Sequence, residues 1–190
     1  MTEKEKMLAG KFYNSRDPEL LELYHRARHL LQQYNSLDSR KLEERQRILD
    51  RLLGFKGANI WIEAPFYCDY GVNISIGENT FINTNCMFID NNKITIGKNC
   101  LIAPYVQIYT AQHPLEADKR IIHQKEGTHY RTSAHPVIIG DNVWIGGNTV
   151  IFPGVTIGDN VTIGAGSVVT KDLPSSVLAY GNPCQIQKNI

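Results

Sequence analysis

The sequence has no surplus of charge of either sign. Twenty Lys and Arg stand against nineteen Asp and Glu in 190 residues, a formal net charge of +1. Coating DNA or RNA requires a basic excess to neutralise phosphates, so that class is excluded, while one small polyanion at a local site is not. No apolar run approaches the ~20 residues that span a bilayer. The opening stretch MTEKEKMLAGKFYNSRD has no apolar signal core, and retention in the cytoplasm is the expectation. Cysteine is scarce: Cys68, Cys86, Cys100 and Cys184 form no C-x-x-C pair. They read as isolated reduced thiols, not as a zinc or redox site. The apolar fraction of 42% argues against disorder, and the length fits one domain with a small appendage.

Residues 1–56 read as a helical segment. From Asp17, Leu20, Leu23, Tyr24, Ala27, Leu30, Leu31 and Tyr34 follow the i, i+3, i+4, i+7 spacing of an amphipathic helix. Asp17-Pro18 supplies an N-cap with proline in the first turn. A second helix is expected from Ser39 to Leu53, stopped by Gly54.

Residues 57–190 carry a repeat. Ile139, Ile145, Ile151, Ile157, Ile163 and Val169 recur every six residues. Three positions after the first five stand Asn142, Asn148, Gly154, Asn160 and Gly166, the residue types that tolerate positive φ. Ile76, Ile82 and Phe88 hold the same register, with Asn79, Asn85 and Asn91 at the turn positions. After a slip of two, Ile96, Ile102 and Ile108 resume it. One inward aliphatic and one corner per six residues give a triangular coil, a parallel β-helix of hexapeptide type. A C-terminal tail is expected over 174–190. Between Ile108 and Val137 the phase is lost, and residues 111–135 are expected to leave the prism as a long loop over an active site.

That loop holds four of the six histidines: His113, His123, His129 and His135. The last three fall outside the repeat phase and are expected to be solvated. His25 and His29 lie one helical turn apart but lack a third ligand nearby, so no metal is expected.

The motifs then occur in a telling order: Cys68-Asp69-Tyr70-Gly71, Phe81-Ile82-Asn83, Thr110-Ala111-Gln112-His113-Pro114, Asn142-Val143-Trp144-Ile145-Gly146-Gly147, Val168-Val169-Thr170-Lys171-Asp172 and Gly181-Asn182-Pro183-Cys184. Nearly the whole chain resembles the maltose/galactoside O-acetyltransferase family, and its maltose branch more than the other. The resemblance implies a left-handed coil and a homotrimer with active sites between subunits. It further implies acetyl-CoA as co-substrate, a sugar hydroxyl as acceptor, and no metal, nucleic-acid or membrane partner.

It also implies roles. His113 is the general base for direct acetyl transfer, a step that needs one because a hydroxyl is a poor nucleophile at neutral pH. Asn83 stabilises the transition state through its amide and touches the substrate. Asp69 binds the acceptor. Asn91 replaces an acidic acceptor-binding residue of the galactoside enzymes, and its phase makes it a turn asparagine. Gly147, Ala165, Thr170 and Lys171 match donor-binding positions. Gln185 stands where relatives are often basic, which leaves phosphate pairing to Lys188. Trp144, off phase and outward, is a cofactor wall or a subunit contact. Other readings are transfer to a different small acceptor (an antibiotic, serine or an amino sugar), a β-helix zinc hydratase, and a non-enzymatic scaffold. Only His113 lies at a coil edge, which disfavours the hydratase.

Overall fold

The computed structural model describes residues 1–124 and 127–190; positions 125 and 126, inside the expected loop, lie outside the described residues. The repeat folds as read. Short parallel strands stack into three faces around one aliphatic core. The first face joins Tyr67–Cys68, Met87–Ile89, Gln107–Tyr109, Val150–Ile151 and Val168–Val169. The second joins Phe55–Lys56, Ile74–Ile76, Ile94–Ile96, Val137–Ile139 and Thr156–Ile157. The third joins Trp61–Ile62, Phe81–Ile82, Leu101–Ile102, Trp144–Ile145, Thr162–Ile163 and Val177–Tyr180. The period-six aliphatics point inward: Ile82, Ile102, Ile145, Ile163, Ile108 and Ile151 are fully or almost fully buried. Each burial removes on the order of 2 kcal/mol of apolar surface cost from water.

The turn positions adopt the left-handed conformation that the repeat requires. Asn59, Asn79, Asn99, Asn142 and Asn160 all have φ of 55–57°. Their side chains form one amide ladder along the edge between the second and third faces, each Nδ2 donating to the next Oδ1 at 3.1–3.3 Å. Asn91 departs from this reading. It is absent from the left-handed residues and is buried, so its phase does not explain it.

The helical segment closes one end of the prism. Helix α1 spans Glu3–Leu8, α2 Pro18–Ser36 and α3 Leu42–Leu52. The first was not anticipated, although Thr2 and Glu5 form a capping box. The third starts later than expected, at a Lys41 with no side-chain cap. Gly54 is not a left-handed stop: Leu53 ends α3 in extended conformation, and a Cβ at 54 would stand 2.2 Å from the Val72 carbonyl oxygen. The Asn35 side chain bonds both the N–H and the carbonyl of Phe66 at 2.9 Å, which seats α2 on the first coil.

The stretch 111–135 is not an unpaired loop. Ala111–Gln112 and Ile121–Gln124 both pair antiparallel with Gly127–Ala134. That long strand pairs in turn with Tyr13–Asn14 from the N-terminal segment. The expected tail is structured as well. Val177–Tyr180 continues the third face, and Gln185–Asn189 folds back antiparallel on it.

Candidate active site

The three edges of the prism do different work. The asparagine ladder occupies one. A second, where the third face turns into the first, carries Asn83, Ala103, Gly146 and Gly164 in one column. Their N–H groups donate in succession to Ile102, Ile145, Ile163 and Ala179. Beside them stand Thr84, Pro104, Gly147 and Ala165. Asn83, Gly147 and Ala165 therefore share an edge. Gly147 also has a packing reason to be small, since a Cβ there would lie 3.1 Å from the Pro104 carbonyl oxygen. The Asn83 Oδ1 accepts from the Thr84 N–H at 2.8 Å, which holds the side chain at the corner.

The third edge, where the first face turns into the second, is where the remaining candidates meet. Asp69 follows Cys68 there, Asp90 and Asn91 follow Ile89 one coil on, and Thr110 follows Tyr109 on the next. His113 lies three residues beyond Thr110, on an exposed position at the mouth of the excursion. Its Nδ1 is 2.8 Å from the Arg131 carbonyl oxygen. A carbonyl only accepts, so Nδ1 carries the proton and Nε2 is left as a free lone pair.

Asp69 pairs with Arg28 of α2, Oδ1 to Nη2 at 3.2 Å. Burial pushes its carboxyl up, and the guanidinium opposes that. The Asn91 amide faces Asp69, Tyr70 and Tyr13. Tyr70 is pushed up to about 12, first by burial and then by the Asp69 charge. The corner thus assembles groups from α2, the Tyr13 strand and two coils.

Two residues here escaped sequence reasoning. Asp90 is fully buried, and burial pushes it up to about 7. Its carboxylate accepts the N–H groups of Asp69, Tyr70 and Asn73 at 2.8–3.3 Å, so it holds the turn that presents Asp69. Asn92 donates to the carbonyls of Met7, Leu8 and Ala134, tying α1, the excursion and the prism together. Both sit in an Ile-Asp-Asn-Asn run that reads as one more turn.

Thr170, Lys171 and Gln185 line one open cleft of about 310 Å³ with Pro183 and Cys184. Lys188 is not in it; it is exposed and stands opposite Leu178 on the outer strand. Trp144 projects from the third face, 54% exposed. His129 is not solvated as expected: it is half-buried, its Nδ1 3.2 Å from Asn14 Oδ1, and His135 is half-buried as well. His123 is exposed. Among the described residues no group of three or more His, Cys, Asp and Glu is placed to hold a metal ion, and no helix is long and apolar enough to cross a membrane.

Comparison with known proteins gives this geometry its family. Residues 6–57 match the maltose acetyltransferase hexapeptide capping motif, and residues 136–171 the hexapeptide repeat of succinyl-transferase. Nodulation protein L of Rhizobium meliloti is 45% identical over 98% of both chains. The crystal structure of a maltose O-acetyltransferase from Clostridium difficile 630 is 50% identical with a TM-score of 0.93, covering 100% of this chain and 98% of that one. A hexapeptide-repeat acetyltransferase of Vibrio cholerae O1 biovar eltor, solved with acetyl coenzyme A, is 38% identical with a TM-score of 0.89 over 100% and 98%. The chain belongs to the maltose acetyltransferase family of hexapeptide-repeat proteins and is an acetyl-CoA-dependent acetyltransferase.

Proposed function

We propose that the enzyme moves the acetyl group to a hydroxyl of a sugar, with His113 as general base, in a site shared between two chains of a homotrimer. The observation that carries the chemistry is the fixed imidazole. With Nδ1–H held by the Arg131 carbonyl, Nε2 is the free base at the corner that also bears Asp69 and Asn91. Acetyl-CoA supplies the activated acetyl group and the thiol leaving group. His113 Nε2 takes the proton of the acceptor hydroxyl as its oxygen attacks the thioester carbonyl. The C–O bond forms, the C–S bond breaks, and the proton passes to the departing sulfur. Asn83 donates to the carbonyl oxygen as negative charge builds there, and such a donor is worth about 3 kcal/mol at the transition state. Thr170, Lys171 and Gln185 hold the donor in their cleft, with Gly147 and Ala165 leaving room along the edge. Lys188 stands by for phosphate pairing and Trp144 for an apolar wall. The maltose O-acetyltransferase relative supports a sugar acceptor.

Sharing between chains follows from where the edges lie. Asn83 and His113 sit at opposite edges of the first face, about six extended residues or ~20 Å apart. That separation supports a site completed by a second prism set against the first face. The two faces that flank the Asn83 edge expose large apolar side chains, Tyr67 and Tyr105 on one side and Leu101 and Trp144 on the other. The second face presents Phe55, Ser75, Thr95, Ile138 and Thr156 outward, so two of its five outward residues are large and apolar as well. Closed threefold symmetry then yields three equivalent sites.

The test is a panel of sugars, amino alcohols and antibiotics assayed with acetyl-CoA by thiol release. The expected result is turnover with a sugar. Turnover confined to an antibiotic or amino alcohol contradicts the sugar reading, and binding of coenzyme A without any transfer contradicts the enzymatic one.

A further inference from the structure

Among the described residues, two buried side-chain polar atoms have no hydrogen-bond partner: Tyr13 Oη and Arg28 Nε. A buried donor left unpaired costs free energy that the fold must offset elsewhere, so native structures rarely keep one without a reason. Here both converge on a single place. Arg28 reaches Asp69 with Nη2, and its guanidinium lies 4.6 Å from the centre of the Tyr24 ring. Tyr13 is 4% exposed and lies beside Tyr70, Asp69 and Asn91, with the Asn91 amide falling short of a hydrogen bond to it. The strand that carries Tyr13 also places Asn14 opposite Arg131, whose carbonyl holds the His113 ring. The two orphaned donors therefore meet at Asp69, one strand pairing away from the residue that holds His113.

The charges of this corner are already spent on one another. Asp69 is paired with Arg28. The Asp90 carboxylate is wholly buried and taken up by three backbone N–H groups. An incoming ammonium would meet the Arg28 guanidinium and no unpaired carboxylate. A neutral hydroxyl meets what it needs, donors in Tyr13 and Arg28 and an acceptor in Asp69.

We infer that Tyr13 Oη and Arg28 Nε bind the acceptor's hydroxyls, and that through them this corner selects a neutral polyhydroxylated acceptor over a cationic amino sugar. The inference rests on the sugar-acceptor reading above and names the residues and the charge class within it. A site built to hydrogen-bond a hydroxyl discriminates strongly when one partner is removed.

Tyr13→Phe removes only the orphan oxygen and tests the claim directly. Kinetics by thiol release would use glucose, maltose and glucosamine at pH 6.5, where the amine is charged. Coenzyme A affinity is measured by calorimetry and the thermal midpoint by circular dichroism. The variant is expected to melt at the wild-type temperature or above, since the hydroxyl makes no bond to lose. It should bind coenzyme A unchanged and lose about tenfold or more in kcat/KM for the better neutral sugar, mostly through KM. Arg28→Lys keeps the charge, removes Nε and should lose in the same direction. The wild type should use the better neutral sugar in preference to glucosamine. Acceptor kinetics within twofold of wild type in Tyr13→Phe, or a preference for glucosamine, overturn this inference while leaving sugar acetylation intact. Absence of thiol release with all three acceptors, with coenzyme A still bound, overturns the sugar reading and this inference with it.

Discussion

Two edges of the same prism use asparagine and aspartate in opposite ways. Along the edge between the second and third faces, Asn59, Asn79, Asn99, Asn142 and Asn160 repeat one conformation and one hydrogen bond, coil after coil. Along the edge between the first and second faces, Asp69, Asp90, Thr110, Phe152 and Thr170 follow the five strands in turn, and no two do the same thing. Among the described residues, six of the ten buried polar ones gather at this corner or the strand against it: Asp90, Asn91, Asn92, Thr110, Thr132 and Ser133. The ladder repeats one structural bond, and the composite corner gathers polar side chains from several elements. A periodic residue is structural here, and a residue that breaks the period is a candidate for chemistry.

The sharpest way to break that contrast is at His113. His113→Ala should cost about 10²–10⁴-fold in kcat, the usual worth of a general base, with coenzyme A affinity unchanged by calorimetry. At the ladder the opposite profile is expected. Asn142→Ala puts a residue that tolerates left-handed backbone less well than asparagine at φ 57° and removes two ladder bonds. It should lower stability by about 2–3 kcal/mol in urea titration with kinetics unchanged, and Asn142→Gly should recover part of the loss. Asn92→Ala lies between the two. Stripping the amide from three carbonyls should cost about 2 kcal/mol, and amide exchange over 131–135 should quicken while the coils stay protected.

A change with pH is the most diagnostic of the corner's electrostatics. Burial holds Asp90 at about 7 in the folded chain, above the ordinary carboxylate value. The native state thus keeps this proton more firmly than the unfolded chain does. Stability from this group is complete below about pH 4 and is lost as pH rises through about 7. Asp90→Asn carries no such proton. Between pH 5 and 7 the urea-derived stability gap should move in the variant's favour by up to about 1.4 kcal/mol per pH unit. A gap that stays flat contradicts the buried, proton-holding carboxylate.

The same contrast explains what the sequence could and could not reveal. The core aliphatics, the ladder asparagines and the break after Ile108 all follow from a period of six. Asp69, Asn83 and His113 were found through motifs, and the chain order of those motifs carried more than any one residue. Asn91 stands in turn phase, yet it is buried and is not left-handed, between Asp90 and Asn92 whose side chains bond to other segments. The pairing of Tyr13–Asn14 with Arg131–Thr132 joins segments more than a hundred residues apart. No local spacing encodes that contact, so the excursion read as a loop and Tyr13 drew no notice. Tyr105 adopts φ 61° at a turn position where its neighbours on the edge are Asn85, Asn148 and Gly166. The phase from Ile102 marks position 105 as a turn, but a tyrosine there does not announce positive φ.

The central claim is that the base on one edge works with the amide on the other edge of a neighbouring chain. Complementation tests it most directly. His113→Ala and Asn83→Ala, each inactive alone, are mixed and allowed to exchange subunits, with exchange followed by mass labelling. In randomly mixed trimers about a quarter of the sites unite a wild-type His113 from one chain with a wild-type Asn83 from the next. The account predicts recovery to about that fraction of wild-type activity. No recovery after demonstrated exchange, or full activity in a monomer of 21.5 kDa, contradicts it.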